Sequence, residues 1–179
     1  FPCATMEQDS ISRARFPQRG TLAEFEKSIQ KRIEEIRQLQ KSGKTQAVEI
    51  SIPIIVHVVH NGETVGSGTN LSQAQVQSQI AVLNEDFRKL LGTPGYNTNP
   101  VGADIQINFC LSPVDENGAS MNEPGIHRYD GNRADWSRDQ IENQLKPTTI
   151  WNTNLFYNIW TVKFAAADAN LIGYAQFPD

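Results

Sequence analysis

The stretch that decides the fold is Val48-Glu-Ile-Ser-Ile-Pro-Ile-Ile-Val-His-Val-Val59. From Ile50 onward most of its residues are Ile or Val, and such β-branched apolar side chains favour extended backbone. A nearly continuous apolar run is typical of a strand that is buried on both faces and lies centrally in a sheet. We therefore expect a sheet built around this strand and covered by helices.

Amphipathic helices are predicted on both sides of this strand. Thr21-Leu-Ala-Glu24 matches a capping box, in which the Thr and Glu side chains bond the first free backbone amides of a helix. Apolar residues then recur at three- and four-residue spacing over about 21–41. A second pattern of this kind runs from Leu71 to Leu91, with Ser72 as its N-cap.

Shorter elements complete the pattern. Residues 1–20 are polar and interrupted by helix breakers, so we predict an irregular segment there. A short helix from Ser137 to Leu145 should end before Pro147. Further strands are predicted over 104–111, 125–129, 155–164 and 171–177. This order of elements predicts an α+β (mixed α/β) fold, with a twisted sheet covered by helices.

Length and composition exclude several classes of protein. The chain has 179 residues and a net charge of −4, which suits one domain with an appendage and argues against general nucleic-acid binding. No apolar run approaches the ~18 residues of a membrane-spanning helix. Two cysteines are too few for a disulfide-rich mini-protein. Because the sequence begins with Phe1 rather than Met, we expect it to have been processed or trimmed.

The histidines do not form a metal motif. His57 and His60 lie three residues apart on one predicted strand, so they point to opposite faces and cannot share a metal ion. We interpret His57 as a core histidine with satisfied hydrogen bonds, and His127 as a surface or packing residue. Asn70-Leu-Ser72 fits the N-glycosylation pattern, but we expect these residues simply to open a helix.

The two cysteines allow several interpretations. Cys3 lies in a segment that should be exposed, where a thiol is reactive, incidental or disulfide-bonded to Cys110 or another cysteine. A cysteine-dependent enzyme is disfavoured because neither thiol has an identifiable histidine partner. Taken alone, the residues predict an α/β domain without a complete catalytic constellation.

Several stretches between residues 48 and 179 match one family in their order along the chain. They are Ile52–His60, Leu71–Ile80, Val82–Arg88, Ile105–Asp115, Gly125–Arg128, Tyr157–Val162 and Leu171–Pro178. Together they resemble the start of the catalytic domain of the pappalysin-type metallopeptidases, the ulilysin and cytophagalysin branch of the metzincins. The resemblance implies a zincin-like sheet preceded by a helical pro-segment.

The family's zinc-binding helix, with the pattern H-E-x-x-H-x-x-G-x-x-H, is not in this chain. The resemblance places that helix downstream of Asp179. It implies a pro-segment over 1–46, with a helix at about 21–41, and an incomplete N-terminal catalytic subdomain over 47–179. The catalytic residues would then lie outside this sequence, and these 179 residues alone should be inactive.

The resemblance also assigns roles to residues that are present. Cys3-Ala-Thr-Met-Glu7 is similar to the family's latency motif, in which the cysteine binds the catalytic zinc, although Ala4 replaces the more usual glycine. The predicted edge strand at about 170–176 would border the cleft and pair with substrate. Its substrate-binding residues would be Ile172, Gly173, Tyr174 and Ala175.

The complete protein would be a secreted zinc endopeptidase that cleaves peptides or proteins after Arg or Lys, with calcium as a further cofactor. Its partners would be those substrates and the C-terminal remainder of its own catalytic domain, with no nucleic acid and no membrane. Activation cleavage is expected near Lys41 and Lys44. The alternative is a non-catalytic α/β binding or interaction module that never had the zinc helix.

Overall fold

The computed structural model describes residues 3–43 and 49–177. They belong to two compact units, one formed by Phe1–Ala47 with Ala167–Asp179 and the other by Val48–Ala166. The helices and strands are α1 (Thr5–Arg15), α2 (Leu22–Lys41), β1 (Ile50–His60), α3 (Gln73–Phe87), β2 (Ile107–Leu111), β3 (Ile126–Asp130), α4 (Arg138–Gln140), α5 (Lys146–Thr149) and β4 (Tyr157–Thr161). Short 3-10 helices span Pro17–Arg19 and Ala166–Asp168, and a π-helix spans Ile141–Leu145.

The unit Val48–Ala166 is built on a parallel sheet with β1 at its centre. Ile54 pairs with both Leu111 of β2 and Tyr157 of β4, and Val58 pairs with both Arg128 of β3 and Thr161 of β4. Strand β4 therefore lies on one side of β1, while β2 and β3 follow each other on the other side. This arrangement confirms the predicted mixed α/β class and the central position of the apolar strand.

The core of this unit lies between β1 and α3. The buried apolar side chains are Ile54, Val56, Val58, Val76, Ile80, Phe109 and Ile126. The first half of β1 is more exposed, so burial on both faces is confirmed only from Ile54 to Val59. Ser72 caps α3 in the predicted capping box, with its side chain accepting from the amide of Gln75.

His57 is a fully buried core histidine, as predicted. His127 is a packing residue, since it lies on β3, is half-buried and hydrogen-bonds to His57. Asn70 is 3% exposed, and its amide donates to the carbonyl of Glu63 at 2.6 Å. It is therefore a structural residue at the entrance to α3, in line with the interpretation that we preferred.

Three predicted elements are longer than the observed ones, one of them the strand predicted over 155–164, of which Tyr157–Thr161 forms β4. Helix α3 ends at Phe87 and not at Leu91, because Lys89 takes a left-handed conformation with φ of 46°. Strand β2 begins at Ile107 and not at residue 104, since Gln106 also has a positive φ, of 56°. Local turns therefore end the regular structure where apolar periodicity alone would continue it.

The helical segment near Pro147 is longer than predicted. It does not stop before the proline but continues to Thr149, with the π-helix between α4 and α5. Pro147 directly follows this π-helix, in which the hydrogen-bonding pattern of the α-helix is already interrupted. The predicted end of the helix at Leu145 was wrong because the segment continues through the proline.

The second unit contains α1 and α2. The prediction of an irregular segment over 1–20 was wrong, because Thr5–Arg15 is helical. The buried residues on α1 are polar, namely Gln8, Asp9 and Ser12. The sequence therefore has no apolar stripe from which this helix could be predicted. Helix α2 confirms the predicted helix, and the Thr21 amide donates to the Glu24 carboxylate at 2.7 Å.

No helix of the described residues is both long and apolar enough to cross a bilayer.

Candidate functional site

The N-terminal residues pair with the segment 173–175 within the smaller unit. Cys3 forms an isolated parallel bridge with Gly173, and the amide of Ala4 donates to the Gly173 carbonyl at 3.2 Å. Two residues further along, the amide of Ala175 donates to Oγ1 of Thr5 at 3.0 Å. Backbone groups of the segment predicted to bind substrate are thus bonded to the chain's own N-terminal segment.

The Cys3 thiol is exposed, as predicted, and is in contact with Thr5. Its Sγ lies 3.0 Å from Oγ1 of Thr5. Because this oxygen already accepts the Ala175 amide, the Thr5 hydroxyl hydrogen is available to the sulfur. Hydrogen bonds from the side chain and backbone of Thr5 hold the pKa of the Cys3 thiol below its usual value. This environment favours the thiolate, which is the form of cysteine that binds metals.

Ala4 fits its position although the family pattern has glycine there. Its φ is −94° and its ψ is 17°, which any L-residue can adopt, so glycine's conformational freedom is not required. The residue is 4% exposed, and its methyl group is therefore part of the packing. The departure from the pattern does not disturb the pairing of Cys3 with Gly173.

Two arginines fix the geometry around this pairing. Arg19 donates to the Phe177 carbonyl at 2.8 Å and also bonds the Ser12 hydroxyl on α1. Arg13 forms a 2.7 Å ion pair with Asp9, whose side chain is 3% exposed, and also bonds the carbonyl of Arg19 at 3.1 Å. Ala4, Thr5 and Arg19 therefore hold residues 173–177 through hydrogen bonds to the main chain of that segment.

An aromatic contact adds to these hydrogen bonds. The Phe25 ring on α2 lies 6.1 Å from the Phe177 ring, measured between centroids. The Arg13 guanidinium lies 5.4 Å from the centroid of the Phe25 ring, a distance at which cations attract aromatic faces.

Thr5, Arg19 and Phe177 were not predicted from the sequence as residues of this site. The neighbouring Cys-Ala-Thr motif is the one signal that pointed to Thr5.

The predicted substrate-binding residues do not lie on a strand. Residues 170–177 contain the single bridge at Gly173, and the predicted strand over 171–177 is wrong as secondary structure. Gly173 and Ala175 use their backbone groups toward the N-terminal segment. Ile172 exposes 69% of its surface, and Tyr174 is half-buried. Their role in binding substrate stays a prediction.

The other predicted sites lie apart from this pairing in sequence. Lys41 is the last residue of α2 and is exposed, whereas Lys44 lies outside the described residues. Cys3 and Cys110 are both free thiols, so the alternative of a disulfide between them is wrong. The sulfur of Cys110 donates to the Ile52 carbonyl at 3.6 Å on the neighbouring strand.

Zinc sites in proteins generally use four ligands, with nitrogen or sulfur donors preferred. Among residues 3–43 and 49–177, no group of three or more His, Cys, Asp or Glu side chains is arranged to hold a metal ion. Cys3 on its own suits the role of one sulfur ligand, because its thiol is exposed and its pKa is lowered. The described residues thus fit one donor of a zinc site and not a complete centre.

Comparison with known proteins places the chain beside one group of solved structures. The structure of a promirolysin mutant from Tannerella forsythia shares 31% sequence identity, with a TM-score of 0.59, over 99% of this chain and 53% of its own. Mature Tannerella forsythia mirolysin with a cleaved peptide is 33% identical, with a TM-score of 0.53. That match covers 64% of this chain and 43% of the mirolysin chain. These matches confirm the resemblance to the pappalysin-type metzincins.

A second mirolysin structure, in complex with compound 9, is 36% identical at a TM-score of 0.52, with coverages of 64% and 43%. The chain therefore spans about half the length of the pappalysin-type structures that it matches. No protein-family model matches the chain, and no curated protein matches it either. The similarity extends over the pro-segment and the upper catalytic part of these metallopeptidases.

Proposed function

We propose that this chain is the N-terminal portion of the zymogen of a secreted zinc-dependent endopeptidase, kept latent by Cys3. The observation that carries the proposal is the pairing of Cys3 and Ala4 with Gly173. It brings an exposed, acidified thiol to the segment that the resemblance assigns to the substrate cleft. A peptide substrate would need the same backbone groups, so the N-terminal segment would exclude it.

The two kinds of structural match support a zymogen. The match to promirolysin covers 99% of this chain, whereas the match to mature mirolysin covers 64%. This difference is expected if part of the chain corresponds to the segment that maturation removes. The cleaved peptide bound to mature mirolysin supports peptides as substrates of the proposed enzyme.

Cys3 would supply one sulfur ligand to the zinc ion, and the remaining ligands are not among the described residues. Zinc provides Lewis-acid chemistry to peptidases of this type. A protein thiolate in the coordination position that catalysis needs open would keep the enzyme inactive. Thr5 would orient the sulfur and favour its thiolate form, while Ala175 fixes the position of Thr5.

Finer features remain part of this proposal. Cleavage after Arg or Lys, a calcium requirement and secretion rest on the family resemblance. The exposed end of α2 at Lys41 suits an activation site, because a protease needs accessible backbone beside the scissile bond. Residues 172–175 would pair with substrate once the N-terminal segment has left.

Cys3→Ala in the complete zymogen tests the proposal. Removal of a zinc-bound thiolate should give peptidase activity before any cleavage, together with an unchanged zinc content. Cys110→Ala is the matched control, since Cys110 is also a free, exposed thiol but lies on β2. Both variants could remain without peptidase activity even after residues 1–46 have been removed by proteolysis. If they still bind peptide in that state, the result would favour the non-catalytic binding module.

A further inference from the structure

Three adjacent strands carry a hydrogen-bonded chain of side chains across the sheet. His57 on β1 is in register with His127 on β3, and their Nδ1 atoms are 2.9 Å apart. On the other side of β1, the Nε2 atom of His57 lies 2.8 Å from Oδ1 of Asn158 on β4. His57 has no exposed surface, so both of its ring nitrogens depend on these partners.

The partners of Asn158 determine where the protons lie. Its Nδ2 donates to the carbonyls of Trp151 and Phe156, each at 3.1 Å, and its Oδ1 accepts the Trp151 amide at 2.9 Å. Oδ1 therefore accepts from His57 as well, which places the His57 hydrogen on Nε2. The lone pair of a neutral His57 is then on Nδ1, and His127 must donate from its own Nδ1.

This arrangement responds unequally to two protons. In the neutral pair, Nε2 of His127 is the available basic nitrogen, and the His127 ring is half-buried. A proton added there leaves the bond between the two Nδ1 atoms intact. A second proton can be taken up only on Nδ1 of His57, and two N–H groups would then face each other across 2.9 Å.

Aromatic rings surround the pair. The His57 ring stacks on Trp160, with centroids 4.8 Å apart and an angle of 16° between the planes. Trp151 packs against both histidines, at 6.2 Å from His57 and 5.7 Å from His127. Any separation of the two histidines therefore disturbs Trp151 and the segment 151–156 that Asn158 holds.

The titratable neighbours favour the same order of proton uptake. Burial lowers the pKa of His127, and the negative charge of Glu116 offsets part of this lowering. Tyr129 on β3 lies 6.4 Å from the His127 ring. Nζ of Lys146 lies 5.6 Å from the centroid of the Trp160 ring and forms an ion pair with Glu142. Burial lowers the pKa of the histidine on β1 to about 4, so that histidine is the last to charge.

We infer that His57 and His127 form a two-proton acid switch, in which the first proton leaves the cross-strand bond intact and the second breaks it and loosens residues 151–156. The switch lies wholly within the unit Val48–Ala166 and uses neither Cys3 nor zinc. Failure of the latency proposal would therefore leave it unaffected.

Histidine 15N NMR of the full chain between pH 7.5 and 4 tests the inference without any substitution. At pH 7.5 we expect His57 with its hydrogen on Nε2 and His127 with its hydrogen on Nδ1. His127 should titrate first, and the Trp151 amide should lose its exchange protection together with the His57 step. A hydrogen on Nδ1 of His57 at pH 7.5, or Trp151 protection that does not follow the His57 step, would overturn the inference.

A pair of variants gives an independent test. In His57→Gln the side-chain amide nitrogen stands in for Nε2 as donor to Asn158, but the amide cannot take up a proton. Between pH 6.5 and 4, the unfolding equilibrium constant of this variant should rise about tenfold less per pH unit than that of the wild type, because one proton fewer is taken up on unfolding. Tryptophan fluorescence reports this unit, since all three tryptophans lie within it.

The matched control is His60→Asn, which removes a histidine from the same strand but outside the pair. This control should keep the wild-type slope. Equal slopes for the wild type, His57→Gln and His60→Asn would contradict the switch, since the buried histidine of the pair would then take up no extra proton on unfolding. If His57→Gln does not fold, the NMR titration of the wild type decides alone.

Discussion

Arg128 shows how one side chain can join several parts of the larger unit. Its guanidinium makes two 2.6 Å bonds to Glu123 and 2.7 Å bonds to Oδ1 of Asn70 and the carbonyl of Leu71. The Arg128 side chain is only 16% exposed. It therefore connects β3 to the turn before β3 and to the entrance of α3.

Replacement of this arginine should be costly. We expect Arg128→Met to lower the free energy of unfolding by about 3 kcal/mol, because it leaves Glu123 and Asn70 without their partner. Urea unfolding measures this loss. Arg88→Met is the control, since the carboxylate partners of Arg88 are 54% and 40% exposed and its loss should stay below about 1 kcal/mol. Equal losses in the two variants would contradict the role of burial.

The same ion pair predicts a pH dependence. The hydrogen bond from Arg128 lowers the pKa of Glu123 below its ordinary value of 4.5. A carboxyl with a lowered folded pKa stabilises the protein above the unfolded pKa, and this contribution is lost as the pH falls through the folded value. The difference in stability between wild type and Arg128→Met should therefore shrink below about pH 4.5. A difference that stays constant down to pH 3 would contradict this assignment.

At the scale of the elements, β3 depends on the glycine that precedes it. Gly125 has φ of 68°, and its carbonyl accepts the Val56 amide at 2.8 Å. A Cβ atom at this position would lie 2.6 Å from Cβ of Leu111 on β2. Both the backbone conformation and the close approach of β2 therefore require glycine at the start of this strand.

Gly125→Ala should destabilise the sheet more than a change at a glycine with open space around it. Gly118 is the matched control, with φ of 81° and nothing within 4 Å of an added Cβ. Gly118→Ala should cost about 1 kcal/mol for its left-handed backbone alone. Gly125→Ala should add about 1–3 kcal/mol for the clash, as measured by chemical denaturation. Equal losses of stability in the two variants would mean that Leu111 can move away from the added methyl group without strain.

Strand β1 offers a comparison between its two halves. Ile54 has no exposed surface, whereas Ile50 at the start of the strand is 53% exposed. We expect Ile54→Ala to cost about 2–5 kcal/mol, through lost burial and a cavity. Ile50→Ala should cost less than about 1 kcal/mol. Thermal or urea unfolding, monitored by tryptophan fluorescence, gives both values. Similar losses of stability in the two variants would contradict the position of the core around the second half of β1.

At the scale of the whole molecule, residues from both ends of the chain belong to one unit. Phe1–Ala47 and Ala167–Asp179 form this unit, and Val48–Ala166 forms the other with its own apolar core. The ion pair between Arg13 and Asp9 in the first unit is deeply buried, with side chains 10% and 3% exposed. Local stability should therefore be separable between the two units.

Arg13→Ala should loosen the first unit selectively. It removes the partner of Asp9 and the hydrogen bonds to the carbonyls of Arg19 and Gly20, at a cost of about 3–5 kcal/mol. Hydrogen exchange should show lost protection in α1 and at the Ala4 amide, with unchanged protection in β1. Arg32→Ala, at a side chain that is 72% exposed, is the control. Loss of protection in β1 as well would show that the units unfold together.

Much of the fold was predictable because its signals are local. The capping boxes at Thr21 and Ser72 each lie within four residues, and the apolar run of β1 is continuous. The ends of some elements were predicted wrongly because local turns end them, as at Lys89 and Gln106. A residue with positive φ does not alter the spacing of apolar residues, so the sequence pattern does not show it. Helix α1 was not predicted because its buried residues Gln8, Asp9 and Ser12 are polar, so its sequence shows no apolar periodicity.

The sequence by itself determined the mixed α/β class, the central strand, the two long helices and the resemblance to the pappalysin-type metzincins. Only the tertiary structure decided that Cys3 pairs with Gly173 and that His57 shares a hydrogen bond with His127. The physical reason is the range of the interactions. Propensity and periodicity act over a few residues, whereas a bond between residues 70 or 170 positions apart exists only after the chain has closed on itself.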